Sequence, residues 1–233
     1  MANDSDKSSK PHYHGHRARL RERFLKAGAA ALPDYELLEL LLFQAQPRGD
    51  TKPLAKRLLA AFDDSFADVV SAPPDKLREI EGVSDAVVAA LKTGEAVVLR
   101  LMQMRVLDRD VLSSWYDLIA YCQAKIAHES REHFHILFLD TRNKLIADER
   151  QQTGTINHAP VYPREVIKRT LELSAAAVIL VHNHPSGDPT PSAADIEMTR
   201  KIAEAGRTLG VVVHDHLVVA RGGYTSFRAD GLL

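Results

Sequence analysis

Two histidines separated by one residue, His182 and His184, close an apolar run that begins at residue 177. Side chains at i and i+2 of a strand point to the same face, so both imidazoles can converge on one point. Pro185 then turns the chain away. Ser192 has the type and position of a helix N-cap, and Asp195 falls in the first turn of that helix. A loop of this length can fold the helix start back over the strand end, which gathers two ring nitrogens and one carboxylate oxygen. That donor set suits one zinc ion per chain. Three protein ligands leave the fourth position for water, whereas structural zinc sites usually fill all four. A water on such an ion has its pKa lowered from about 15.7 toward about 7. A carboxylate must still take its proton and pass it to the leaving group. Glu132, just ahead of a strand that starts at His133, is the candidate for that role, with Glu129, Glu149 and Glu165 as alternatives. The Ser192 hydroxyl can steady a developing oxyanion as well as cap the helix.

The other chemistry-bearing residues are weighed against this set. His214 and His216 also stand at i, i+2, inside the strand-like run VVVHDHLVV. The plain reading is packed histidines, one of which orients a ligand from behind. His12, His14 and His16 belong to a polar N-terminal stretch, a poor frame for catalysis. Cys122, the single cysteine, excludes an internal disulfide and lies in a helix-like run where it reads as a small buried apolar residue. This fits a cytoplasmic protein. The start of the chain carries no secretory pattern, and no apolar run reaches the roughly 20 residues of a membrane helix.

Composition is that of a globular protein, with 45% hydrophobic and 26% charged residues and a formal charge of −1. Whole-chain electrostatics therefore do not announce a nucleic-acid partner. The charge is uneven, however. Lys7, Lys10, Arg17, Arg19, Arg21, Arg23 and Lys26 face only Glu22 within residues 7–26.

Three regions must position these residues. Residues 1–15 are polar and expected to be disordered. Residues 16–107 read as a bundle of short helices: 35–43 opened by Pro33-Asp34, a helix capped by Thr51, one over 62–70, a break at Pro73-Pro74, and a long helix over 87–104. Residues 112–233 alternate helices and strands. Helices are expected to about 128, over 164–174 and over 192–205. Strands are expected over 133–140, 145–151, 154–156, 177–182, 211–219 and 224–227. The class is α/β (α+β).

The string HNHPSGDPTPSAAD (182–195) matches the JAMM motif of MPN-domain metalloproteases and resembles the RadC family of bacterial proteins. The flanks at 154–181 and 215–231, and the segments ALPDYELLELLLF (31–43) and PRGDTKPLAKRLL (47–59), resemble that family too. The resemblance implies a cytidine-deaminase-like fold with a curved sheet flanked by helices. It also implies zinc on His182, His184 and Asp195, with an upstream glutamate acting on the zinc-bound water, a place that Glu132 matches. The implied activity is hydrolysis of a peptide or isopeptide bond in a peptide or protein substrate. In the helical half, LREIEGVSDAVVAAL (77–91) resembles a helix-hairpin-helix motif, whose turn presents backbone N–H groups to a DNA phosphate. The usual Gly-Val-Gly is here Gly82-Val83-Ser84 followed by Asp85, so helical packing is favoured and DNA binding stands as the alternative function. A deaminase of similar fold needs a P-C-x-x-C element, which a chain whose single cysteine is Cys122 lacks.

Overall fold

Helical periodicity and its interruptions shape the first part of the computed structural model, which describes residues 15–107, 109–153 and 161–233. Most of the polar N-terminal stretch, with His12 and His14, and the strand expected over 154–156 lie outside these residues. Helix α1 (His16–Ala27) stops at Gly28, whose N–H returns to the Phe24 carbonyl. A 3-10 turn (Ala29–Ala31) leads into α2 (Asp34–Ala45), followed by α3 (Lys52–Ala61), α4 (Phe66–Ser71), α5 (Pro74–Arg78) and α6 (Asp85–Val106). Leu38 and Leu42 of α2 bury against Leu54 and Leu58 of α3, Leu77 of α5 and Val87 and Leu91 of α6.

Two expectations fail here for local reasons. Helix α4 begins at Phe66 rather than residue 62, because Asp63 and Asp64 take positive φ values of 51° and 57°, which no α-helix accommodates. Ser65 then caps the helix by accepting the Asp68 N–H at 3.1 Å. Thr51 does precede α3, but its side chain makes no cap bond. Its hydroxyl donates instead to the buried Glu39 carboxylate at 3.4 Å.

The turn between α5 and α6 accounts for its departure from Gly-Val-Gly. Gly82 has φ +89°, and a Cβ there would stand 3.0 Å from Arg57 Nη2. Ser84 Oγ accepts the Val87 N–H at 3.4 Å, and Asp85 takes a hydrogen bond from Arg78 Nε at 2.9 Å. In the basic stretch, Arg17 Nη2 donates to the carbonyls of Gln46 and Gly49 at 2.6 and 3.0 Å, and Arg23 pairs with Glu36.

The chain divides into two compact units between Glu95 and Ala96. In the second, α7 (Trp115–Ile126) precedes β1 (His133–Leu139), β2 (Leu145–Thr153), α8 (Pro163–Glu172), β3 (Ala177–Asn183), α9 (Ala193–Thr208), β4 (Val212–Ala220) and β5 (Gly223–Ser226). The sheet order is β2-β1-β3-β4-β5. Among the described strands, only β3 and β4 pair in parallel, with α9 as their crossover. One face of the sheet packs Leu137, Ile179, Val181 and Leu217 against Leu118 and Cys122 of α7. The other packs Phe134, Ile136, Val178 and Leu180 against Val166, Ile167 and Ile202 of α8 and α9. Every residue of β3 is buried, which is why its sequence is an unbroken apolar run rather than an alternation.

His135 of β1 is buried because it has a partner. Its Nδ1 meets Asp148 Oδ1 at 3.0 Å, while Asp148 Oδ2 accepts from Tyr121 Oη and Lys125 Nζ, each at 2.6 Å. Burial pushes the Asp148 carboxyl up, but these partners outweigh it and bring its pKa down to about 2. A carboxyl depressed on folding stabilises above its ordinary value near 3.8 and loses that contribution as pH falls through about 2. Urea titrations are therefore expected to show about 2 kcal/mol lost between these limits. Asp148→Asn should flatten that part of the profile, and an unchanged profile would disprove the assignment.

Candidate metal centre

Strand β3 ends where the parallel pair with β4 ends, and it delivers His182 and His184 to the face that carries α9. His182 is fully buried and stacks on Phe134, its partner across β1, at a ring distance of 6.0 Å. Helix α9 brings Asp195 in from the same side through a reciprocal cap. Ser192 Oγ accepts the Asp195 N–H at 3.2 Å, while Asp195 Oδ2 accepts from the Ser192 N–H and hydroxyl at 2.7 and 2.6 Å. The carboxylate is thus clamped by its own helix start.

The donor atoms face one another. His182 Nε2 lies 3.0 Å from His184 Nε2 and 3.6 Å from Asp195 Oδ1, and His184 Nε2 lies 3.8 Å from Asp195 Oδ2. His184 Nδ1 is 2.9 Å from the Asp188 carbonyl. A carbonyl only accepts, so Nδ1 carries a hydrogen and Nε2 is the nitrogen that faces the other donors. Burial works against the Asp195 carboxylate, yet the facing His182 and His184 rings and Ser192 hold its pKa far below the usual range. Hydrogen bonding to Asp195 leads the causes that raise the His184 pKa, with smaller contributions from the Asp188 carbonyl and the Glu132 charge. Electron-pair donors aimed at one spot require a positive charge among them, a proton or a metal ion.

Glu132 precedes β1. The β1–β3 register, Phe134 opposite His182, continued two residues outward sets it across from His184, and its charge is felt there. The other glutamates are engaged elsewhere. Glu149 accepts two hydrogen bonds from Arg169 at 2.6 and 2.8 Å, Glu165 accepts from Arg164 at 3.1 Å, and Glu129 lies 3.5 Å from His133 Nε2.

The two histidines of β4 part company. The β3–β4 register skips from Val213 to Asp215, so His214 is an extra residue that breaks the alternation. His214 Nε2 meets Asn143 Oδ1 at 2.7 Å. His216 instead reaches His182 Nδ1 at 2.8 Å with its Nε2, and burial pushes its pKa well below 6.5. Asp215, buried between them, accepts from Ser226 Oγ at 2.5 Å and from the Arg228 N–H at 2.9 Å, tying down β5 and the chain beyond it.

Sequence reasoning overlooked two residues. Thr199 contacts both Asp195 and His216, and its i+4 spacing from Asp195 was the available signal. Asn183, between the two histidines, points its amide the other way. Its Nδ2 donates to the Glu129 and Arg131 carbonyls at 3.3 and 3.0 Å, and its Oδ1 accepts the His133 N–H at 2.7 Å. Asn183→Ala is expected to cost about 1–3 kcal/mol, because the buried His133 N–H and two partly exposed carbonyls lose their partner. Hydrogen exchange should rise over residues 129–133, and protection equal to wild type would refute this.

A mixed sheet whose His-x-His strand end is met by a helix carrying the third donor defines a JAB/MPN domain, here with an N-terminal helical region. Residues 112–232 match the family model described as RadC-like JAB domain, and residues 14–89 match UPF0758 N-terminal. A UPF0758 protein of Rhodobacter capsulatus is 61% identical over 214 residues, covering 92% of this chain and all of the relative. The chain belongs to the RadC (UPF0758) family.

Proposed function

We propose that this protein is a zinc-dependent hydrolase that cleaves a peptide or isopeptide bond. The observation that carries the reading is the convergence of His182, His184 and Asp195, with one ligand atom from each within 4.8 Å of the others. The donors fit zinc in type and spacing. Ligand atoms held at 2.0–2.1 Å around a tetrahedral ion stand about 3.3–3.4 Å apart; here the two Nε2 atoms are 3.0 Å apart, His182 Nε2 is 3.6 Å from Oδ1 of Asp195 and His184 Nε2 is 3.8 Å from its Oδ2. Three donors leave one position for solvent, the arrangement of a catalytic rather than a structural zinc.

What a bound zinc supplies is Lewis acidity, which makes hydroxide accessible near neutral pH. The remaining work falls to the chain. Glu132 takes the proton of the attacking water and passes it to the leaving amine. The Ser192 hydroxyl, held on Asp195, keeps that ligand in place. On turning outward it donates to the oxyanion. His182, sealed under Phe134, keeps one side of the site dry, which strengthens each of these interactions.

Metal analysis of purified protein should return about one zinc per chain. A library of peptides and isopeptide-linked conjugates should yield a cleavage that a chelator stops and zinc restores. Cleavage insensitive to the chelator, or protein that takes up no zinc, would overturn the reading.

A further inference from the structure

Behind His182 a row of hydrogen bonds runs through β4 into α9, and its direction follows from counting protons. Thr199 Oγ1 lies 2.6 Å from the Asp195 carbonyl oxygen and 2.6 Å from His216 Nδ1. A hydroxyl has one hydrogen to give. The carbonyl cannot donate, so the Thr199 hydrogen must lie toward it; otherwise two oxygens would face each other lone pair to lone pair at that distance. Thr199 Oγ1 therefore accepts, and His216 Nδ1 carries a hydrogen.

The opposite nitrogen, His216 Nε2, stands 2.8 Å from His182 Nδ1, and only one hydrogen fits between them. A second hydrogen on His216 would make it a cation, yet the ring is fully buried. It is flanked by Phe227 and Phe134 at ring distances of 4.5 and 5.6 Å. Among the described residues no carboxylate is hydrogen-bonded to it. A charge there would be costly, so the shared hydrogen belongs to His182 Nδ1.

We infer that Thr199 and His216 are positioning residues that lock His182 in the Nδ1–H tautomer, so that its Nε2 lone pair faces His184 and Asp195 before any ion arrives. The inference rests on the metal-site reading above. His184 Nδ1 carries a hydrogen toward the Asp188 carbonyl, so in both rings Nε2 is the nitrogen turned to the candidate metal position. The row also ends on the backbone of Asp195. One hydroxyl thereby links the orientation of a ligand on β3 to the position of the ligand on α9.

The test compares wild type, Thr199→Val and Thr199→Ser. Thr199→Val keeps the volume and removes the hydroxyl, while Thr199→Ser retains it. Imidazole nitrogen NMR on zinc-free protein reports the tautomer, and competition with a chromophoric chelator reports zinc affinity. Wild type should show His182 with hydrogen on Nδ1 alone. Thr199→Val should mix the tautomers and weaken zinc binding by about 10–100-fold, the usual effect of losing an outer partner of a ligand. Thr199→Ser should restore both. Hydrogen on His182 Nε2 in wild type overturns the inference without any variant. So does a Thr199→Val protein with wild-type tautomer and affinity. A protein with the expected tautomer that takes up no zinc would instead overturn the metal-site reading and leave the tautomer assignment standing.

Discussion

Asp195→Ala will strip the protein of zinc, from about one ion per chain to near none after dialysis. Two imidazoles alone hold an ion far less well than two imidazoles and a carboxylate. The loss should exceed the 10–100-fold that follows removal of a hydrogen-bonding partner outside the ligand set. The same change unclips the start of α9, since Asp195 Oδ2 accepts from both the Ser192 N–H and its hydroxyl. Loss of such a cap costs about 1 kcal/mol, too little to unfold a domain of this size. Metal content should therefore collapse while cooperative unfolding persists, and Asp195→Ala protein that keeps a full complement of zinc would refute the site.

Glu132→Gln is the counterpart, with the expectation reversed. Zinc content should stay as in wild type, because Glu132 is not in the proposed ligand set. Turnover of any substrate found in the cleavage screen should fall by about 10²–10⁴-fold, the contribution of a positioned general base. The amide keeps the shape and loses the ability to take a proton. Glu149→Gln offers a control: that carboxylate is held by Arg169 with a lowered pKa, so its loss should leave the rate near wild type. A Glu132→Gln enzyme as fast as wild type would move the base elsewhere.

The contrast between these residues and Asn183 or Thr199 shows what the sequence could convey. His182, His184, Ser192 and Asp195 lie within 14 residues, and strand alternation plus one helix cap suffice to bring them together. The sheet elements were legible for the same reason: a buried strand such as β3 is a short apolar run, and α8 and α9 carry their own start signals. Contacts that depend on strand order were not legible. Asn183 binds a segment more than 50 residues upstream, and His216 meets His182 across 34 residues; neither follows from local spacing. The bulge at His214 hid which of two equivalent-looking histidines would reach the site. In the helical part, Asp63 and Asp64 gave no periodic signal that the backbone would turn left-handed, so α4 was expected too early.

The tripeptide His182-Asn183-His184 works on both surfaces of the sheet, like a rivet. On one side its rings face the candidate metal position; on the other, the Asn183 amide fastens three backbone groups on either side of Glu132. Glu132, the proposed base, and the two histidines are therefore mounted on a common bracket, so that a shift of the segment before β1 tugs on β3. Movement of residues 129–131 is thus transmitted to β3 through one side chain.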